Sequence, residues 1–312
     1  MNKSSRPVVG IACVLGAASL WGTTGTARAL ADSSVSSMWF GALRLLTAAA
    51  FFLVFAAATG GLQRSAWRRL SPSDALGAGL CMAVYNLAFF AGVQATGVAV
   101  GTSIALGSGP IWAGLLQSGL QRMKPSPAWW AATGVAVAGG VLLSIGGGNV
   151  HVGVSWHGVA LCLLSGLSYA VYTLLNKRMV RQAPASSITL AAFSLASLVA
   201  ITVALIGAGL PDLGARDIAA AGYTGIVTAG VAYLLFSHAL HHISPATGVT
   251  LALGEPVVAF ALAVFVLGEP AGAASLAGLA LVVAGVLGVV RAELGGRRHA
   301  ISSHAPRVDA AG

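Results

Sequence analysis

The chain is 312 residues long, 57% hydrophobic and only 8% charged, with a net charge of +9. Ordinary soluble domains carry about a quarter charged residues, so a water-soluble globule is excluded. The basic excess does not indicate nucleic acid, because its residues flank apolar runs instead of gathering beside groove-reading or stacking elements.

A bilayer crossing takes about 20 apolar residues. Pro7 to Ala27 supplies the first, and Met38 to about Thr59 the second, interrupted by Arg44. Ala75 to Gln121 has no charge and holds spans three and four, joined at Gln94 to Gly97. Pro125 to Asn176 is again uncharged and broken by Gly146-Gly147-Gly148-Asn149 and His151, which separates spans five and six. Spans seven to ten fit Ser187 to Ala208, Ile218 to Leu240, Pro245 to Leu267 and Gly272 to Val290. The expected fold class is therefore all-α, with ten transmembrane helices. Cys13, Cys81 and Cys162 are odd in number, far apart and inside apolar runs, so they read as small buried hydrophobes.

Short loops rich in Lys and Arg stay cytoplasmic. With the amino terminus inside, 14 of the 17 Lys and Arg fall on inner segments, Arg64, Arg68, Arg69, Arg122, Lys124, Lys177, Arg178 and Arg181 among them. Only Arg28 and Arg216 fall outside, with Arg44 in a span. This predicts an inner-membrane, multi-pass chain with both termini cytoplasmic. A cleavable signal peptide ending near Ala29-Leu30-Ala31 is the competing reading. Its apolar stretch is longer than a usual signal core, and removal would leave span six without a partner.

That partner exists because the chain repeats itself. Shifted by 148, Gly10, Ala12, Leu15 and Trp21 fall on Gly158, Ala160, Leu163 and Tyr169. Shifted by 146, Pro110 falls on Pro256, and by 145, Pro125 and Gly140 fall on Pro270 and Gly285. Five spans per copy is odd, so the second copy enters the membrane from the opposite side as an inverted repeat. The expected division is residues 1–149, residues 150–295 and an unstructured cytoplasmic tail over 296–312.

With Leu20-Trp21-Gly22-Thr23-Thr24 in span one, the Arg44 segment of span two, Gly107-Ser108-Gly109-Pro110 in span four and Leu253-Gly254-Glu255-Pro256-Val257-Val258 with Leu267-Gly268-Glu269 in span nine, the sequence resembles the EamA-type branch of the drug/metabolite transporter superfamily. The resemblance covers nearly the whole chain. It implies two five-helix repeats around a central cavity, cytoplasmic termini, and export of amino acids or related metabolites. The usual Leu-Gly-Glu ending of span four is replaced by Arg122-Met123-Lys124.

Glu255 is the one carboxylate expected near mid-membrane, where a charge costs at least about 2.5 kcal/mol. It is expected to exchange a coupling proton, to meet a cation or an ammonium substrate, or to tie helices together beside Arg44. Arg44 reads first as a residue snorkelling to the outer surface, and second as a partner of Glu255 or of a substrate carboxylate. Pro110 and Pro256 each remove a helical N–H, freeing the carbonyls of Leu106 and Ala252, and are the candidate hinges. Ser165, Tyr169, Tyr172 and Asn176 share one face of span six, matched in span one by Ala17, Trp21, Thr24 and Arg28. The expected cavity walls are Trp21, Thr24, Tyr169 and Tyr172, joined by Tyr85, Asn86 and Trp112. Tyr223, Trp129, Trp130 and Trp156 read as an interfacial belt.

His238, His241 and His242 lack a nearby carboxylate or thiol, so no metal is expected. Gly101-Thr102-Ser103-Ile104 has the Gly-x-Ser-x form of intramembrane serine proteases, which makes a hydrolase using Ser103 the alternative from another class, with a non-transporting scaffold as a third. No Walker loop or other cofactor motif is present. The partners expected are a small-molecule substrate, a coupling proton and the lipid bilayer.

Overall fold

A computed structural model describes residues 6–31, 35–146 and 155–302. Lys3, Asn149, His151, Arg307 and the boundary between 149 and 150 lie outside the described residues. Ten helices are long and apolar enough to cross a membrane: Pro7–Ala31, Ser37–Ala58, Pro72–Thr96, Val98–Leu120, Pro127–Gly146, Trp156–Met179, Ala185–Ala208, Ala215–Ala239, Pro245–Phe265 and Ala273–Gly295. In chain order these are spans one to ten. No strand occurs among the described residues, and the fold is an all-α membrane protein.

Local chemistry sets the ends. Ser36, Ser71, Ser155 and Ser244 cap spans two, three, six and nine by accepting from the backbone N–H groups of Trp39, Asp74, Gly158 and Thr247. Pro72 and Pro245 occupy first-turn positions, where the missing N–H costs nothing. Span three stops at Gly97, whose φ of 83° leads directly into span four.

Three departures from simple helices were not expected. A short basic helix, Arg64–Arg69, follows span two. Span eight contains a π-helical stretch, Thr224–Val231, and span nine a 3-10 turn, Ala252–Gly254. The last helix also continues beyond its span to Ser302. Among the belt aromatics, Trp156 is exposed, whereas Trp129 is buried against Gly114.

The packing is built from exchanges. Span three lies on spans six and seven, and span eight lies on spans one and two. Span four rests on span six as span nine rests on span one. Spans two and seven, four and nine, and five and ten pair with their own counterparts. Exchanging the halves therefore maps the contact pattern onto itself, which places a pseudo-twofold axis between those three self-paired couples. With five spans per half, the repeats are inverted.

Spans five and ten form a dry seam. A Cβ added to Gly139 would sit 2.5 Å from the Val282 amide nitrogen and 2.8 Å from the Gly278 carbonyl oxygen. Backbones at this separation exclude any side chain, the small-residue mode of helix association in lipid.

Candidate functional site

Between the halves lies a cavity of about 1020 Å³. Span one contributes Trp21, Thr24 and Arg28, span two Phe40 and Arg44, and span three Tyr85, Asn86 and residues down to Gly97. Spans four, six, eight and nine add Gly109, Tyr169, Tyr233 and Glu255. Lining residues continue to Ser36, Gln94, Gly97 and Ala208, so the cavity opens at the end of the bundle that carries Arg28. The opposite end, with Arg68, Arg69, Lys124 and Arg178, is the basic end.

The floor is aromatic. Trp21 packs edge-on against Tyr233 at 5.1 Å and against Tyr169 at 6.4 Å, and Tyr85 lies 5.2 Å from Tyr169 between ring centroids. Trp21 Nε1, Arg44 Nε, Asn86 Oδ1 and Tyr169 OH are buried without a protein partner. Such atoms cost about 1–3 kcal/mol each when unsatisfied, so this wall favours a ligand that supplies matching polar groups. Most of the remaining lining is apolar, Phe89, Phe90, Val93, Leu106 and Val249 among it.

Glu255 and Arg44 bring opposite charges to the same space. Glu255 opens the helical segment that follows the 3-10 turn of span nine, so its carboxyl projects from a helix N-terminus. That position favours a negative charge. The Arg44 charge acts on Glu255 across the cavity, but no salt bridge joins them. The pair is thus left open to a ligand of mixed charge.

The prolines behave differently from one another. Pro110 sits inside a span four that remains one α-helix, and Pro256 follows the 3-10 break. The Leu106 and Ala252 residues whose carbonyls lose their usual donors both line the cavity. Ala252 O regains a partner, accepting from the Glu255 backbone N–H.

Below the floor the basic end is shut. Tyr172 is fully buried and does not line the cavity; its hydroxyl accepts from Asn176 Nδ2 at 3.2 Å. The same Nδ2 donates to Ser237 Oγ at 2.9 Å. Lys177 Nζ donates to the carbonyls of Leu240 and Ile243, the second at 2.9 Å. His238, His241 and His242 stand beside this closure with ring centroids 5.2 to 6.3 Å apart. Burial first, and then the charges of His238, His242 and Lys177, hold the His241 imidazole below its ordinary range.

Of the residues expected at the cavity, Trp21, Thr24, Arg44, Tyr85, Asn86, Tyr169 and Glu255 line it together. Trp112 does not; it packs against the buried core. Pro110 and Pro256 adjoin liners without being liners. Ser103 is buried within span four, where its hydroxyl donates to Ala99 O at 2.7 Å. Tyr233 is a liner that helix periodicity did not single out, although a shift of 148 carries Tyr85 directly onto it.

The EamA-like transporter family model matches the chain twice, over residues 8–145 and 156–291. An uncharacterized transporter of Bacillus subtilis (strain 168), YwfM, is 38% identical over 275 residues, covering 88% of this chain and 91% of the relative. A protein of known crystal structure, 22% identical, superposes with a TM-score of 0.75 over 96% of this chain and 99% of its own. That likeness concerns the fold.

Proposed function

Because the chain belongs to the EamA-like transporter family, and is therefore a transporter and not an enzyme, we propose that it exports a small amphipathic metabolite of the amino-acid class by alternating access. The observation that carries this reading is the cavity itself: Glu255, Arg44 and an aromatic floor share a space open at one end and closed at the other. A zwitterion satisfies all three. Its ammonium group pairs with Glu255 and the ring faces, its carboxylate with Arg44, and its apolar side chain with Phe89, Phe90 and Val249.

The orientation follows from the basic end. Arg64, Arg68, Arg69, Lys124 and Arg178 belong on the cytoplasmic side, which puts both termini inside the cell membrane and turns the cavity mouth outward. Residues 1–149 and 150–295 act as the two exchanging units, with hinges at Pro110 and Pro256. Exchange of their conformations closes the mouth and opens the basic end.

Glu255 is the coupling group: a proton taken up from outside releases the substrate ammonium, and loss of that proton to the cytoplasm restores the site. Reconstituted in proteoliposomes with a labelled amino-acid mixture, the protein is expected to drive uptake or efflux when a pH gradient is imposed. Glu255→Gln abolishes gradient-driven flux and retains substrate exchange. Gradient-driven flux in that variant with its pH dependence unchanged overturns the coupling role, and no flux of any amino acid by the wild type overturns the substrate class.

A further inference from the structure

The closed end is fastened by a few side-chain bonds between the last turn of span six and the end of span eight: Asn176 to Ser237, and Lys177 to the carbonyls of Leu240 and Ile243. The inverted repeat supplies a counterpart of the basic donor, although not residue for residue: Lys177 falls on Ala29, and the basic group in the last turn of span one is Arg28. A shift of 148 relates Asn176 to Arg28, at the end of span one. The packing fixes the other register. Gly10 is pressed against His242 and Ile243, and its counterpart Gly158 against Ala95 and Thr96. At this end the packing register is 147, one less than the shift that relates Tyr85 to Tyr233, so Ile243 corresponds to Thr96 and Leu240 to Val93, both in the last turn of span three.

In the open form Arg28 rests elsewhere. Its guanidinium donates to Ser37 Oγ at 3.3 Å and to Val35 O at 3.2 Å, and lies 4.7 Å from the Phe40 ring centre. Asp217, which accepts from the backbone N–H groups of Val35 and Gly214, adds a negative charge to this perch. Across the mouth, span three ends at Gly97, and Val93 lines the cavity. The last carbonyls of a helix have no intrahelical donor and form the negative end of its dipole, which suits a cation.

We infer that Arg28 is the latch of the open end: when the mouth closes, it leaves span two and donates to the carbonyls of Val93 and Thr96, as Lys177 does to those of Leu240 and Ile243. One residue thus holds two seats, one in each state. The inference rests on the alternating-access reading above and adds to it a positioning residue that need not touch the substrate.

The test is a mouth-width measurement. Val98 and Leu210 are 73% and 86% exposed; Val98 lines the cavity from span four, and Leu210 follows Gly207 and Ala208, which line it from span seven. Nitroxides at these two positions, with Cys13, Cys81 and Cys162 replaced by Ala, report mouth width by double electron–electron resonance in proteoliposomes. The wild type is expected to show a long and a short distance. Lys177→Ala raises the short fraction by about threefold or more, the scale set by a cation at a helix C-terminus, and Arg28→Ala raises the long one, because the two helix-end bonds it gives up in the closed mouth outweigh the 3.2 and 3.3 Å contacts it gives up in the open one. Arg28→Lys keeps the wild-type ratio. An Arg28→Ala ratio that is unchanged, or that moves with Lys177→Ala, overturns the latch while leaving alternating access intact. A single distance in the wild type under every substrate gradient overturns both. Should Arg28→Ala fail to fold, an Arg28→Cys, Val93→Cys pair joined by a short bis-methanethiosulfonate reagent, which replaces the reach of the arginine side chain that a disulfide lacks, probes the same contact: a cross-link that locks the short distance is expected, and its failure to form in an exchanging protein refutes the latch.

Discussion

Two of the seams that join the halves of this molecule differ in what fills them at mid-depth. Between spans five and ten, Gly139 and Gly278 bring backbone against backbone. Where spans one and six face spans three and eight, glycines such as Gly10, Gly92 and Gly158 hold the helix ends close, and at mid-depth long side chains enclose about 1020 Å³ of space. A seam without side chains has no alternative packing to adopt and serves as a brace. A seam of aromatic and polar side chains has several, and can open. The contrast assigns movement to one side of the molecule and rigidity to the other.

The sharpest way to break this contrast is to put bulk into the brace. Gly278→Leu places a branched side chain where a Cβ alone would lie 2.8 Å from Gly139 O, and is expected to destabilise by more than about 3 kcal/mol. Thermal unfolding in detergent should fall steeply, with flux lost in proportion to folded protein. A smaller effect is expected in the side-chain seam. Asn176→Ala removes the donor to Tyr172 and Ser237, costing about 1–3 kcal/mol. The Ser237 bond belongs to the closed form of the basic end alone, whereas Tyr172 shares a helix with Asn176, so labelling of a cysteine introduced at Ala239 should rise from the cytoplasmic side. Trp21→Leu should lower the unfolding midpoint modestly, because Trp21 is buried against Tyr169, Tyr233 and Phe236, and raise the substrate KM of the folded protein about tenfold, the loss of roughly 1.4 kcal/mol from the aromatic floor.

The smallest effect is that of pH on the closed end. His241 is held below its ordinary range in the closed form, so an opening that separates the imidazole from its neighbours is expected to take up a proton. Closure is therefore fully favoured above about pH 6.5 and weakens as pH falls below it. Cysteine labelling at Ala239 should increase on acidification, and His241→Gln should flatten that dependence.

The ten spans were legible because a charge inside lipid is costly, so the gaps between charges mark helices almost unaided. The duplication was legible from Trp21 and Tyr169, Pro110 and Pro256. The division of one helical face was not. Tyr169 and Tyr172 share a face of span six, but depth along the axis puts the first in the cavity and the second behind the closure. Trp112 fails for the related reason that periodicity names a side of a helix and not its neighbour. The stretch Thr-Gly-Ile-Val-Thr-Ala-Gly-Val in span eight reads as ordinary apolar helix, since a π-helix differs only in which carbonyl each amide selects.

That π-helical stretch has a cost for symmetry. Two repeats can trade shapes without penalty only if each takes the other's form equally well, and span three, continuous α-helix from Pro72 to Thr96, carries no such widened coil. The two conformers that alternating access requires would consequently not be isoenergetic. On the alternating-access proposal, such a carrier idles on one side of the bilayer, and the gradient lifts it out of that preference on every cycle.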